Sequence, residues 1–137
     1  MNAKFFLAVL AASAVAFFSG WLIFGVAFPE FYGSHINTSA MEIIKKPPVM
    51  WAIAISNIAW SLLITWLLQK TGNITFAKGF ATSLWVSFLI ILAFDLSMYS
   101  FFDIYEIKFV ALDIIVSSLF WGIVGGVAGL VLGTGNK

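Results

Sequence analysis

Two aspartates stand inside apolar stretches, Asp95 in ILAFDLSMYS and Asp113 in FVALDIIV. A charged carboxylate near the centre of a bilayer costs about 2.5–3.5 kcal/mol, and intramembrane acids mark proton, cation or substrate sites by default. Singly, each could carry a proton or pair with a cation. Together they could share a proton and activate water, as an aspartyl dyad does. Helical spacing adds polar neighbours. Tyr99 shares a face with Asp95 at i+4, and Ser117 and Trp121 share one with Asp113 at i+4 and i+8. Counted inward from the outer ends of the predicted spans at 1.5 Å per residue, Asp95 lies roughly 10 Å deep, Asp113 roughly 6 Å and Asn57 roughly 12 Å. Ser19 falls at a matching depth. The expectation is a polar pocket in the outer half of the molecule, formed by Asp95, Asp113, Asn57, Tyr99 and Ser117, that binds a ligand or a proton. The competing structural reading has Asp95 bonded to Asn57, Tyr99 or a tryptophan N–H, with Asp113 near the interface and reached by Lys108.

Other chemistry is poorly supplied. All seven cationic residues are lysine, so no arginine fork exists to grip phosphate or carboxylate. The net charge is +1 and no basic patch points to nucleic acid. Without cysteine, disulfides, thiol redox chemistry and cysteine metal sites are excluded. His35, with Glu30 and Glu42 scattered around it, falls short of the three or four ligands a metal needs. It reads as a solvated loop residue. No metal and no cofactor are expected. Asn37-Thr38-Ser39 and Asn73-Ile74-Thr75 match the glycosylation sequon, but they fall on opposite sides of the expected topology.

The elements that would position the aspartates follow from composition. The chain has 137 residues, 62% hydrophobic and only 9% charged, with mean hydropathy +1.06. Soluble domains carry about 25% charged residues. A hydrocarbon core takes about 20 apolar residues per helix, and four windows qualify: 5–28, 49–68, 79–102 and 109–132. They predict an all-α membrane protein, one domain over 1–137, folded as an up-down bundle of four transmembrane helices. The first window opens like a secretory signal, but its apolar run continues to Phe28, past an h-region of about 7–15 residues. It is read as a retained span. With four spans, Lys4, Lys70, Lys78 and Lys137 share one side with no acid. Lys45, Lys46 and Lys108 share the other with Glu30, Glu42, Asp103 and Glu106. The lysine bias predicts cytoplasmic termini.

Between the first two spans, Ser39-Ala40-Met41-Glu42 fits a capping box and leaves two readings open, a short helix at the membrane surface stopped by Pro47 and Pro48 or an ordinary capped connector. Trp51 and Trp66 sit near the ends of the second span, as interfacial belt residues do. Trp21, Trp60, Trp85 and Trp121 lie deeper, facing either lipid or the bundle. Helix association in lipid relies on close contact between small residues. Ala8, Ala12, Ala16 and Gly20 recur every four positions in the first span, and Gly125, Gly129 and Gly133 do so in the fourth, beside Gly122 and Gly126. Both stripes are expected to be contact surfaces. The partner of the glycine stripe is either the first span or another protomer.

Three segments carry a resemblance. Ser19-Gly20-Trp21 through Gly25, Phe28-Pro29 and Tyr32-Gly33 close the first span; Phe94-Asp95-Leu96-Ser97 lies in the third; Leu112-Asp113 with Trp121-Gly122 lies in the fourth. In these the chain resembles a family of uncharacterised bacterial four-helix integral membrane proteins, a domain of unknown function. The resemblance implies a bacterial inner-membrane four-helix fold and no particular activity.

The sequence therefore leads to a small multi-pass inner-membrane protein whose partners are the lipid bilayer and a second copy or another membrane protein. The leading expectation is non-enzymatic: a subunit, or a binder of a small ligand in the outer-half pocket. The alternatives are a proton- or cation-coupled transporter exchanging at Asp95, and an intramembrane hydrolase with an Asp95/Asp113 dyad.

Overall fold

The computed structural model describes residues 2–135, the side chain of Tyr32 excepted. Lys137, counted above on the side of the termini, lies outside the described residues. Helix α1 spans Ala3–Gly20 and runs on as a π-helical segment, Trp21–Ala27. A short α2, Pro29–Ser34, follows. Three long helices complete the chain: α3, Met50–Thr71; α4, Phe76–Phe101; and α5, Ile107–Gly133. Backbone groups in hydrocarbon must pair within their own segment, so the apolar windows become helices. Four are long and apolar enough to cross a membrane: Ala3–Ala27, Met50–Thr71, Phe76–Phe101 and Ile107–Gly133. The arrangement is all-α, with four membrane-length helices packed together and running up and down.

Local chemistry sets the helix ends. Asn2 Oδ1 accepts from the Phe5 N–H at 3.1 Å, and Thr75 Oγ1 accepts from the Lys78 N–H at 3.3 Å. These are N-caps that satisfy otherwise orphaned donors. Gly72 stops α3 in the left-handed region, φ 69°, where a side chain would be strained. Of the two readings after Ser39, the surface helix does not form and the segment is a connector. A single 3₁₀ turn, Thr38–Ala40, stands there instead, with no side-chain cap. Three apolar residues, Met41, Ile43 and Ile44, before two prolines are too few to propagate a helix once nucleated. The short helix is α2, started by Pro29 at its first turn.

The four long helices are not equivalent. The most apolar stretch of α5 is 56% buried, against 22% for each of the other three, so α5 is the hub. It packs on α1, α3 and α4, and α1 also packs on α3, while α4 scarcely reaches α3. Ala8, Ala12 and Ala16 are wholly buried in α1, whose long-helix partners are α3 and α5. The small-residue row lets those backbones approach.

Each end of the bundle is tied. At the end carrying the termini, Lys4 Nζ donates to the Thr134 carbonyl at 2.6 Å. At the opposite, distal end the 102–106 connection is clipped to the chain after α2. The Asn37 N–H donates to the Ile104 carbonyl at 2.9 Å, and the Glu106 N–H donates to the His35 carbonyl at 3.1 Å. Ile36 and Tyr105 thus form an antiparallel bridge. Asn37 Nδ2 also donates to Asp103 Oδ1 at 2.5 Å. His35 itself stacks on Phe31, ring centroids 4.2 Å apart.

Candidate functional site

Along α4 one row recurs every four residues: Gly79, Ser83, Ser87, Ile91, Asp95 and Tyr99. Its first four members are buried. They run along α5, and the row then carries Asp95 to the distal half of the α4–α5 hairpin. There Asp113 rises from α5, and the two carboxyl groups face one cavity. Both line a cavity of about 410 Å³ with Tyr99, Tyr105, Phe109 and Phe94. No lysine or histidine lines it. Ser117 Oγ donates to Asp113 Oδ1 at 3.2 Å, the i+4 contact that the spacing predicts. Asp95 Oδ2 is buried and has no hydrogen-bond partner among the described residues.

Tyr105 lines the cavity from the 102–106 connection. Its ring stacks on Phe109, centroids 4.3 Å apart and planes 11° from parallel. Burial first, then the negative charges of Asp113 and Asp95, push its phenol above the ordinary value of 10.0. It therefore stays protonated and able to donate toward the acids. Tyr105 is not among the five residues expected from spacing, yet the sequence carries a signal for it. A connection of 102–106 is too short to leave the hairpin mouth, so its two aromatic residues, Phe102 and Tyr105, must sit beside whatever the hairpin encloses.

Asn57 lies on another face. It lines a second cavity, of about 420 Å³, between the π-helical segment, α3 and α5. Ser117 lines this cavity too, so it stands between the two. The proposed five therefore divide: Asp95, Asp113 and Tyr99 together, Asn57 apart, and Ser117 bridging. Ser19 belongs to neither cavity, and its Oγ donates back to the Val15 carbonyl. Of the deep tryptophans, Trp60 and Trp121 stack in the interior, centroids 5.1 Å apart. Trp21 and Trp85 are exposed on the outside of the bundle.

The glycine stripe of α5 has its partner within the chain, and that partner is α4. A Cβ on Gly125 would run into the Ser83 side chain, and one on Gly79 into the Gly125 carbonyl. Gly129 faces the Thr75 carbonyl, where a Cβ would come within 2.6 Å, and Gly133 abuts the Ile74 carbonyl. Gly20 of α1 faces the Phe120 ring, with room for a Cβ at 3.6 Å. The serines of α4 that complete the seam went unread in the sequence, because Ser83 and Ser87 look there like isolated hydroxyls.

Compared with family models, with curated proteins and with solved structures, the chain matches none. The resemblance noted from sequence therefore rests on layout, four membrane-length helices.

Proposed function

We propose that this chain is a bacterial inner-membrane protein, both ends cytoplasmic, that binds a small cationic ligand at the Asp95–Asp113 pair and does not catalyse. One observation carries the reading: two carboxyl groups from different helices meet in one cavity that no lysine or histidine lines. Like charges so close repel, and a bound cation or a shared proton relieves them. The remaining lining favours an amine. Phe94, Tyr99, Phe102, Tyr105 and Phe109 offer ring faces, and a cation over such a face gains about 0.5–2 kcal/mol. A bare metal ion fits less well. Calcium takes 6–8 oxygen ligands, and among the described residues no group of three His, Cys, Asp or Glu side chains could hold a metal. The charge layout agrees. Lys4, Lys70, Lys78 and Lys137 on the side of the termini outnumber Lys45, Lys46 and Lys108 on the other, the lysine excess that places termini in the cytoplasm.

A second reading, a proton- or cation-coupled transporter exchanging at Asp95, draws on the unpartnered Asp95 Oδ2. Calorimetric titration of the full chain in lipid nanodiscs with methylammonium and tetramethylammonium tests the first reading. Saturable binding is expected, weakened about tenfold or more in Asp95→Asn and Asp113→Asn, a loss of 1.4 kcal/mol or more. Wild-type protein that takes up neither amine would overturn it. Amine-driven proton flux in sealed liposomes, lost in Asp95→Asn with binding of the first kind retained by wild type, would move the reading to the transporter.

A further inference from the structure

The second cavity lies where α1 changes its winding. From Trp21 to Ala27 the backbone bonds run from i to i+5, and the Phe28 N–H closes the last on the Ile23 carbonyl at 3.0 Å. Such wide turns are rare and concentrate at functional sites. Here Trp21, Phe24 and Gly25 of the wide turn form one wall. Asn57 and Trp60 of α3 and Trp121 of α5 form the others. The volume, about 420 Å³, is within the range of small-molecule sites, about 300–1,000 Å³.

Three features define an occupant. No charged side chain lines the cavity, so the molecule is uncharged. The walls are flat. Trp60 and Trp121 stack nearly parallel, 25° between planes, and Phe120 meets Trp121 edge-on with centroids 5.0 Å apart. That favours a planar ring. Finally, Asn57 makes no side-chain hydrogen bond to any described residue, although it lies within a membrane-length helix. An amide left unpaired in hydrocarbon costs several kcal/mol. Its NH₂ group is matched by a carbonyl or hydroxyl oxygen brought by an occupant. Entry is from the side. Trp21, Met50 and Ile53, all lining residues, are 61%, 49% and 39% exposed on helices that face lipid.

We propose that this cavity is a second binding site, for an uncharged planar ring bearing a carbonyl or hydroxyl acceptor and arriving through the bilayer. It stands independently of the carboxyl pair, because none of its defining residues lines the other cavity. Gly25 keeps the space open. A Cβ there would meet the Trp21 indole at 3.4 Å, and a longer side chain would have to displace that wall or extend into the cavity.

The test uses the full chain in lipid nanodiscs, titrated with menadione, an uncharged planar diketone, and followed by calorimetry. One saturable site per chain is expected. Asn57→Leu removes the amide donor and should weaken it about tenfold, the scale of one lost buried hydrogen bond. Gly25→Leu should weaken it at least as much by filling space. Asp95→Asn should leave it unchanged. Should Gly25→Leu fail to fold, Trp60→Leu supplies the wall test, with the same expected loss. Absence of saturable binding by the wild type, or equal binding by Asn57→Leu and the wall variant, would overturn the proposal.

Discussion

The two halves of the α4–α5 hairpin are built from the same pair of helices and behave oppositely. Toward the termini, Gly79 and Ser83 of α4 lie against Gly125 and Gly129 of α5 so closely that a methyl group added at any of the three glycines would strike backbone or side chain. Toward the distal end, the α4 row changes from Gly and Ser to Ile91, Asp95 and Tyr99, and a cavity of about 410 Å³ opens. Bulk at the contact sets the separation of two helices. The tight half thus serves as a clamp that allows the other half to splay without the hairpin falling apart. A polar pocket in hydrocarbon needs such support, since apolar burial between helices adds little there.

The largest effect is expected at the clamp. Gly125→Leu would force α4 away from α5 along the seam, and overpacking of this kind costs about 3 kcal/mol. Unfolding by denaturing detergent, followed by circular dichroism, should show that loss. Gly33→Ala, where a Cβ meets nothing within 4 Å, should change little. A tolerated Gly125→Leu would mean that the seam is not what holds the hairpin.

Tyr105 sharpens the open half. Its phenol should ionise above 10.0 in ultraviolet titration, and Asp113→Asn should bring that value down by removing one of the charges that raise it. The sign for stability follows. The contribution of the neutral phenol is full below pH 10.0 and is lost as pH rises through the folded value. A midpoint unaffected by Asp113→Asn would separate Tyr105 from the carboxyl pair.

The smallest effect is expected at the bridge between the cavities. Ser117→Ala removes the 3.2 Å bond to Asp113 and should cost about 1 kcal/mol of stability. It should shift methylammonium affinity a few-fold, because Asp113 loses a partner that orients it. An affinity matching wild type would make that bond incidental to the pocket.

Much of this architecture was legible in the residues. Hydrocarbon permits only long apolar helices, so windows at 5–28, 49–68, 79–102 and 109–132 lie within a few residues of the four membrane-length helices. Position along each helix was legible as well, because 1.5 Å per residue converts sequence separation to distance. Counting from a short hairpin connection therefore brought Asp95 and Asp113 to one level. Rotation about each helix axis was not legible. It sent Asn57 into a different cavity, and it chose α4 as the partner of the glycine stripe. The wide turn at Trp21–Ala27 leaves no mark in a run as uniformly apolar as WLIFGVA.

By itself, then, the order of residues determined how many times the chain forms a membrane-length helix and how far along each one every polar group sits, since both depend on length and on backbone pairing within one segment. Which polar groups share a cavity was decided by tertiary packing alone. Helix rotation and spacing are settled by side chains from distant segments meeting, as Ser83 meets Gly125, and no local pattern holds that information.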